Sequence, residues 1–171
     1  AEGKVEKIFS LNLFATFNFN RVFIPLVIKG RGLIAIISSE YGKIVAIPLH
    51  GYYPMTKHAV EIYGDSLRRE LKKSGARVTT IRPGAFKTNM QGSINGQFDS
   101  LLSETDIYKT PLGRMKHIMV GELKRAKDPM ILGKKLASIA DKKHPRAHYN
   151  IKNSFKMKLL SILPSPLTDW I

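Results

Sequence analysis

The chain has 171 residues, 43% of them hydrophobic and 24% charged, enough for one domain with a buried core and not the composition of a disordered segment. Its 28 Lys and Arg against 13 Asp and Glu give a formal net charge of +15. The basic residues are nevertheless scattered over loops and helix ends, as in Arg68-Arg69, Lys72-Lys73, Lys134-Lys135 and Lys142-Lys143, without the signature of a nucleic-acid module, so nucleic acid is not expected as a partner. The absence of cysteine excludes disulfides and thiolate metal sites and fits a cytoplasmic chain. No apolar run is read as approaching the roughly 18 residues of a membrane span, Val22 to Ile28 being short and interrupted by Pro25, and no secretory signal is seen. His50, His58 and His117 lack metal-ligand spacing and read as surface or loop residues.

Taken in order, the apolar residues Ile8, Phe9, Leu11, Leu13, Phe14, Phe17, Phe19, Val22 and Phe23 crowd a helical window from about Val5 to Val27. They cover more than one face, which predicts a helix buried on two sides. Asn12 is a polar residue on that surface and needs a partner, for which a helix-to-loop hydrogen bond is the plain expectation. Lys29-Gly30-Arg31-Gly32 turns into a strand from Leu33 to Ile37. A second helix is expected from about Pro54 to Ser74, with Met55, Ala59, Ile62, Tyr63, Leu67 and Leu71 at helical spacing and Gly75 as its stop. Val78 to Ile81 reads as the second strand, ended by Arg82-Pro83-Gly84. Between Thr88 and Lys127 the pattern weakens among Gly92, Asn95, Gly96, Pro111 and Gly113, and a stretch of this length is expected to be a substrate lid, 88–127. A third helix follows from Pro129 to Lys142 and a short strand from Ala147 to Ile151. The residues 153–171 form an apolar tail broken by Pro164 and Pro166.

This alternation predicts one α/β domain, 1–171, built on a parallel sheet. Crossovers in such sheets are right-handed, which places consecutive helices on a common face unless the winding reverses, and ligands sit at the carboxyl ends of the strands. Ser38-Ser39 and Pro83-Gly84 both fall at such ends.

The chemistry concentrates in Tyr53-Pro54-Met55-Thr56-Lys57. Four residues are about one helical turn, so the phenol and the ammonium can share a face. A cation about 4 Å away at an effective dielectric of about 20 favours a phenolate by roughly 4 kcal/mol at most, enough to bring a phenol toward neutrality. Such a tyrosine can act as general acid and base. Ser39, 14 residues earlier at the end of a buried strand, can hydrogen-bond the oxygen that gains or loses the proton. A bare YxxxK also arises by chance on solvated helix faces, and it is the neighbouring motifs that lend it weight.

Those neighbours are Asn12 in Leu11-Asn12-Leu13-Phe14-Ala15, Ile37-Ser38-Ser39, the tyrosine–lysine pair, and Arg82-Pro83-Gly84-Ala85-Phe86-Lys87-Thr88. Together, in this order and at nearly this spacing, they resemble the short-chain dehydrogenase/reductase family. His148-Tyr149-Asn150 to Leu163-Pro164 looks like the tail of its hydroxysteroid and retinol dehydrogenase-like members. The resemblance implies an NAD- or NADP-dependent oxidoreductase that interconverts an alcohol with a ketone or aldehyde. It implies Tyr53 as general acid/base and Lys57 lowering the pKa of Tyr53 and bonding the nicotinamide ribose. Ser39 would hold the substrate oxygen, and Asn12 a relay water by way of its backbone. Asn12, Tyr53, Lys57, Pro83, Gly84, Phe86 and Thr88 would contact the cofactor side.

Two departures accompany the resemblance. Ser39 lies one residue farther from the tyrosine than the family's serine, an extra residue assigned to the loop around Pro48 to Gly51; Tyr52 has the family's spacing from Ser39 but turns away from Lys57. Nothing before Asn12 matches the family's TGxxxGxG turn, so the fold expected is a partial Rossmann-like parallel sheet, its last three strands with flanking helices, lacking the N-terminal dinucleotide-binding half. The strand at Leu33 to Ile37 then becomes an open apolar edge and the first helix loses part of its cover. The partners implied are a small hydroxyl or carbonyl substrate of hydrophobic character and a second copy paired through helices 5–27 and 54–74. A truncated, inactive module pairing with a full-length relative is the alternative. Peripheral membrane contact through the basic surface and apolar tail is a further expectation.

Overall fold

The computed structural model of the protein describes residues 3–43, 49–88 and 90–155, with the single positions Leu159, Pro164 and Leu167. Most of the expected apolar tail and the first part of the loop before Leu49 lie outside the described residues. The described residues form two compact units, 1–84 with 136–171, and 85–135.

In the first unit, α1 (Lys4–Phe9), a π-helical segment (Ser10–Phe14) and α2 (Ala15–Lys29) run as one helix into β1 (Leu33–Ile37). A 3-10 turn (Glu40–Gly42), α3 (Tyr52–Glu70) extended by a 3-10 turn (Leu71–Lys73), and β2 (Arg77–Pro83) follow. β3 (His148–Ile151) completes a parallel sheet in the order β1-β2-β3, with Ile37 opposite Ile81 and Pro83 opposite Ile151. The fold is α/β, as the alternation predicts.

The second unit contains α4 (Met90–Glu104) and α5 (Lys109–Lys124), so the stretch read as a lid is helical. Gly96, Gly113 and Gly121 lie inside these helices without a positive φ; a glycine there weakens a helix by about 1 kcal/mol relative to alanine and does not end it. A short parallel bridge joins Phe86 to Lys127. α6 (Pro129–Ala140) leads back toward β3.

The core of the first unit is Ile34 and Ile36 from β1, Val60 and Leu67 from α3, Leu71 and Val78. Leu13, Ile24, Val27 and Ile28 of the first helix pack against it. β2 is buried along its length, while β1 alternates, with Ala35 and Ile37 exposed. Among the described residues β1 and β3 are the two edges of the sheet, and one face of β1, at Ala35 and Ile37, is exposed.

The first helix corrects two expectations. Its outer side is exposed, with Leu11 at 69% and Phe14, Phe19, Val22 and Leu26 also open, so it is not buried on two sides. It is also 26 residues long and apolar enough, by length and composition, to cross a membrane. The sequence reading stopped at Pro25, but that proline sits inside α2, where a helix loses one hydrogen bond and can continue. One such helix is weak evidence for a span. Its inner side is committed to the fold, since Asn12 hydrogen-bonds Thr56 of α3 and Leu13, Ile24, Val27 and Ile28 pack against the core.

At the end of β2 the chain passes so close to the segment after β3 that a Cβ on Gly84 would collide with the backbone carbonyl of Lys152. The Gly84 amide donates to Ile151 O at 2.9 Å, and Lys152 itself takes φ 57°. Gly84→Ala is therefore expected to lower stability by about 1–3 kcal/mol or more, the cost of forcing backbone apart in a packed site. A denaturant midpoint equal to the parent's would contradict this close approach.

Candidate active site

The end of β1, the start of α3 and the first helix meet around Tyr53. Ser38 N donates to Ile81 O at 2.8 Å, extending the sheet one residue past Ile37 and delivering two buried serines to the carboxyl end of the strands. Ser38 Oγ makes a long contact to Lys57 O, 3.5 Å. Ser39 Oγ accepts from Tyr41 N at 3.3 Å and shares a side-chain hydrogen bond with Tyr53. Of the two neighbouring tyrosines, Tyr53 is half-buried and Tyr52 is 58% exposed. Leu49, in the loop before α3, has φ 60°, a strained left-handed conformation for leucine.

Lys57 Nζ lies over the Tyr53 ring, 5.7 Å from its centroid, and donates to Ile37 O at 3.2 Å. Burial lowers the lysine's pKa, with Glu61 pulling it back up. The Tyr53 phenol is displaced upward, first by burial and further by the Glu40 carboxylate, with the Ser39 hydrogen bond offsetting part. This corrects the expectation that Lys57 brings the phenol down. The ammonium is engaged by a carbonyl and faces the ring, and desolvation of the phenolate dominates.

Asn12 sits in the middle of the π-helical segment, a local widening often found at functional sites. Its Nδ2 donates to Thr56 Oγ1 at 3.0 Å, and its backbone oxygen accepts from Thr16 Oγ1 at 3.0 Å. The partner is thus a neighbouring helix and not a loop. Thr56 Oγ1 in turn donates to Tyr53 O at 2.8 Å, so Asn12 is tied to the turn that carries the phenol.

Pro83 and Gly84 lie half-buried at the end of β2, on the same side of the sheet as Ser38 and Ser39. Phe86 and Thr88 belong to the second unit, Phe86 buried and Thr88 exposed.

Two groups escaped the sequence reading. His50, read as a surface or loop residue, is half-buried, and burial lowers its pKa. It packs with Tyr41 and Tyr53, the three ring centroids 5.4 to 5.9 Å apart. The other group is a buried ion pair, Arg82 Nε to Glu61 Oε1 at 2.9 Å and Arg82 Nη2 to Glu61 Oε2 at 2.6 Å. An arginine inside the Val78–Pro83 run was the available signal, because a buried cation demands a carboxylate. Glu40 is also buried and accepts from Ser154 N at 2.9 Å.

The short chain dehydrogenase family model matches residues 1–98. The chain belongs to the short-chain dehydrogenase family. It is 29% identical over 176 residues to mouse short-chain dehydrogenase/reductase family 9C member 7, covering 96% of the chain and 56% of that relative. Over 80 residues, 47% of the chain and 24% of the relative, it is 44% identical to human dehydrogenase/reductase SDR family member 9. The chain thus spans about half or less of the length of these relatives. Among solved structures, a short-chain dehydrogenase from Streptomyces avermitilis superposes with TM-score 0.73 at 20% identity, covering 99% of the chain and 61% of that structure. A short chain dehydrogenase from Mycobacterium paratuberculosis, bound to NAD, gives TM-score 0.65 at 19% identity over 90% of the chain and 56% of that structure. At such identities these likenesses establish the fold, a Rossmann-type sheet of which the described residues of this short-chain dehydrogenase form three parallel strands.

Proposed function

We propose that the chain is the catalytic part of an NAD- or NADP-dependent oxidoreductase that interconverts an alcohol with a ketone or aldehyde. The observation that carries this reading is the grouping of Tyr53 with Ser39 and with the half-buried Lys57 ammonium, 5.7 Å from the Tyr53 ring centroid, at the carboxyl end of β1. The family's relatives and the NAD-bound neighbour support it.

The residues present fit the nicotinamide–ribose end of such a cofactor. An ammonium has three donors; Ile37 O takes one, leaving two for ribose hydroxyls. The bound nicotinamide would supply or accept the hydride, and the protein supplies position and polarity. In reduction Tyr53 gives its Oη proton to the carbonyl oxygen, while Ser39 Oγ holds that oxygen in line. In oxidation Tyr53 takes the proton back. The Lys57 ammonium lies beside the ring on which donation of the proton leaves a negative charge. The Asn12 carbonyl, in the π-helical segment, is the group at which a water would pass protons onward. Pro83 and Gly84 are proposed to line the nicotinamide side. The Tyr41 and His50 rings suit a hydrophobic substrate.

The test is nicotinamide absorbance during incubation with hydrophobic secondary alcohols, alongside nicotinamide fluorescence on binding. Turnover that survives in Tyr53→Phe would reject the assignment of the acid/base.

The pH dependence carries a sign. Alcohol oxidation needs the ionised phenol, so its rate rises as pH passes the raised Tyr53 pKa. Glu40→Gln removes the nearby negative charge that raises this pKa while an amide oxygen can still accept from Ser154 N. The rise should therefore move to lower pH. Ser39→Ala removes the bond that lowers it and should move the rise to higher pH. Profiles of kcat/KM against pH check both; shifts in the opposite directions would show that another group is being titrated.

A second reading is favoured by the exposed apolar sides of the first helix and of α3, where Ile62 is 73% exposed and Met55 is also open. Through these helices the chain would pair with a second copy or with a full-length relative, in the latter case as a non-catalytic module. Pairing seen by light scattering without any nicotinamide binding would select the module.

A further inference from the structure

We propose that the buried Glu61–Arg82 pair is a positioning element of the reaction, holding the Lys57 turn of α3 and the Ser38–Ser39 turn after β1 in their working arrangement. The proposal rests on the catalytic reading above and adds residues to it.

The geometry joins three elements. Glu61 is one helical turn beyond Lys57 on α3, and Arg82 comes from β2. Two parallel hydrogen bonds, 2.9 and 2.6 Å, fix the carboxylate in one orientation, as the planar guanidinium fork requires. The third element is the turn after β1. A Cβ on Gly42 would lie 2.5 Å from Ser38 Oγ and 2.9 Å from Glu61 Cγ, so the backbone of this turn rests directly on both side chains. Ser38 reaches back to Lys57 O. A movement of Glu61 would therefore displace the serine turn and the lysine turn together.

Stability alone does not call for ions at this place. The side chains are only 6% and 9% exposed, and a well-packed apolar pair of the same volume commonly serves stability as well or better. What the ion pair adds is direction and a negative charge one turn from Lys57. That charge works against the burial that lowers the lysine's pKa. The charged and titratable groups around it are Lys57 and Asp65 on α3, Arg82 on β2, His148 on β3, and Glu40 and Lys43 in the turn after β1. Of these, the carboxylate nearest to Lys57 along α3 is Glu61.

The test uses Glu61→Leu/Arg82→Met, which replaces the pair by apolar side chains, with Glu61→Gln as a second variant in case the double one fails to fold. Three quantities are read in the protein as it is isolated: the thermal midpoint, kcat and KM for alcohol oxidation, and the NMR titration of the Lys57 side chain, assigned with Lys57→Met. A positioning role predicts a near-parental midpoint in the double variant. It predicts kcat lower by about tenfold to a hundredfold, as for a small misplacement of reacting groups, with KM within about twofold. Lys57 should titrate at lower pH than in the parent. A double variant with parental kcat and parental Lys57 titration would overturn the proposal and leave the pair a structural one. If the parent itself turns over no alcohol, the catalytic reading fails, and the Lys57 titration still decides: an unchanged titration in a folded variant overturns the positioning claim.

Discussion

Replacing Tyr53 by phenylalanine is expected to lower kcat for alcohol–ketone interconversion by about 10²- to 10⁴-fold, the range that a positioned acid/base contributes. The substitution removes one oxygen and little else. Tyr53 is half-buried with its ring packed against Tyr41 and His50, contacts that a phenylalanine ring retains. Lys57 keeps its acceptor at Ile37 O, so nicotinamide binding should change little. The adjacent Tyr52, 58% exposed and outside the Ser39 hydrogen bond, supplies the control: Tyr52→Phe should leave kcat near the parental value. If the two substitutions exchanged effects, the extra residue in the loop would have moved the register and the acid/base would be Tyr52. Steady-state rates with each variant make the distinction.

The second large effect is on stability. Arg82→Met alone should cost about 3–5 kcal/mol, because it strands the Glu61 carboxylate in a site that water reaches poorly. Methionine fills much of the volume of the arginine stem, so most of the loss is electrostatic and not a cavity. The companion Glu61→Leu should then recover most of that loss, since it removes the stranded charge. Denaturant unfolding of the single and double variants gives both numbers. A single-variant loss below about 1 kcal/mol would mean that the pair behaves like a solvated surface bridge, contrary to its 6% and 9% exposure.

The upward displacement of Tyr53 changes how the site is understood. Spacing on a helix says only that Lys57 and Tyr53 share a side; it does not say what else surrounds them. Glu40 follows Ser39 directly in sequence, and folding buries it close enough to oppose ionisation of the phenol. Ionisation therefore depends on a balance among burial, one hydrogen bond and the Glu40 charge. A bound nicotinamide ribose competing for Lys57 would alter that balance, and profiles of kcat against kcat/KM over pH report the bound and free protein separately.

Much of the architecture was written in local pattern. β1 occupies Leu33–Ile37 as the apolar run predicts, and α3 starts within two residues of Pro54. These elements combine strong periodicity with clear punctuation, so local and tertiary preferences agree. α4 and α5 were hidden because glycine and proline interrupt their pattern, and helix propensity is a weak prior that packing overrides. The first helix was recognised, but a hydrophobic side says nothing of what covers it, and its outer face proved open.

The sequence by itself determined the α/β alternation, the family through four motifs in order, and the candidate groups Asn12, Ser39, Tyr53 and Lys57, because these are properties of residue type and spacing along one chain. Only the tertiary structure decided that Asn12 bonds Thr56, that His50 and Tyr41 flank the phenol, and that Glu61 pairs with Arg82. It alone set the direction in which Tyr53 titrates. Each of these depends on distances and burial between residues far apart in sequence, and desolvation and Coulomb energies are functions of those distances, not of order along the chain.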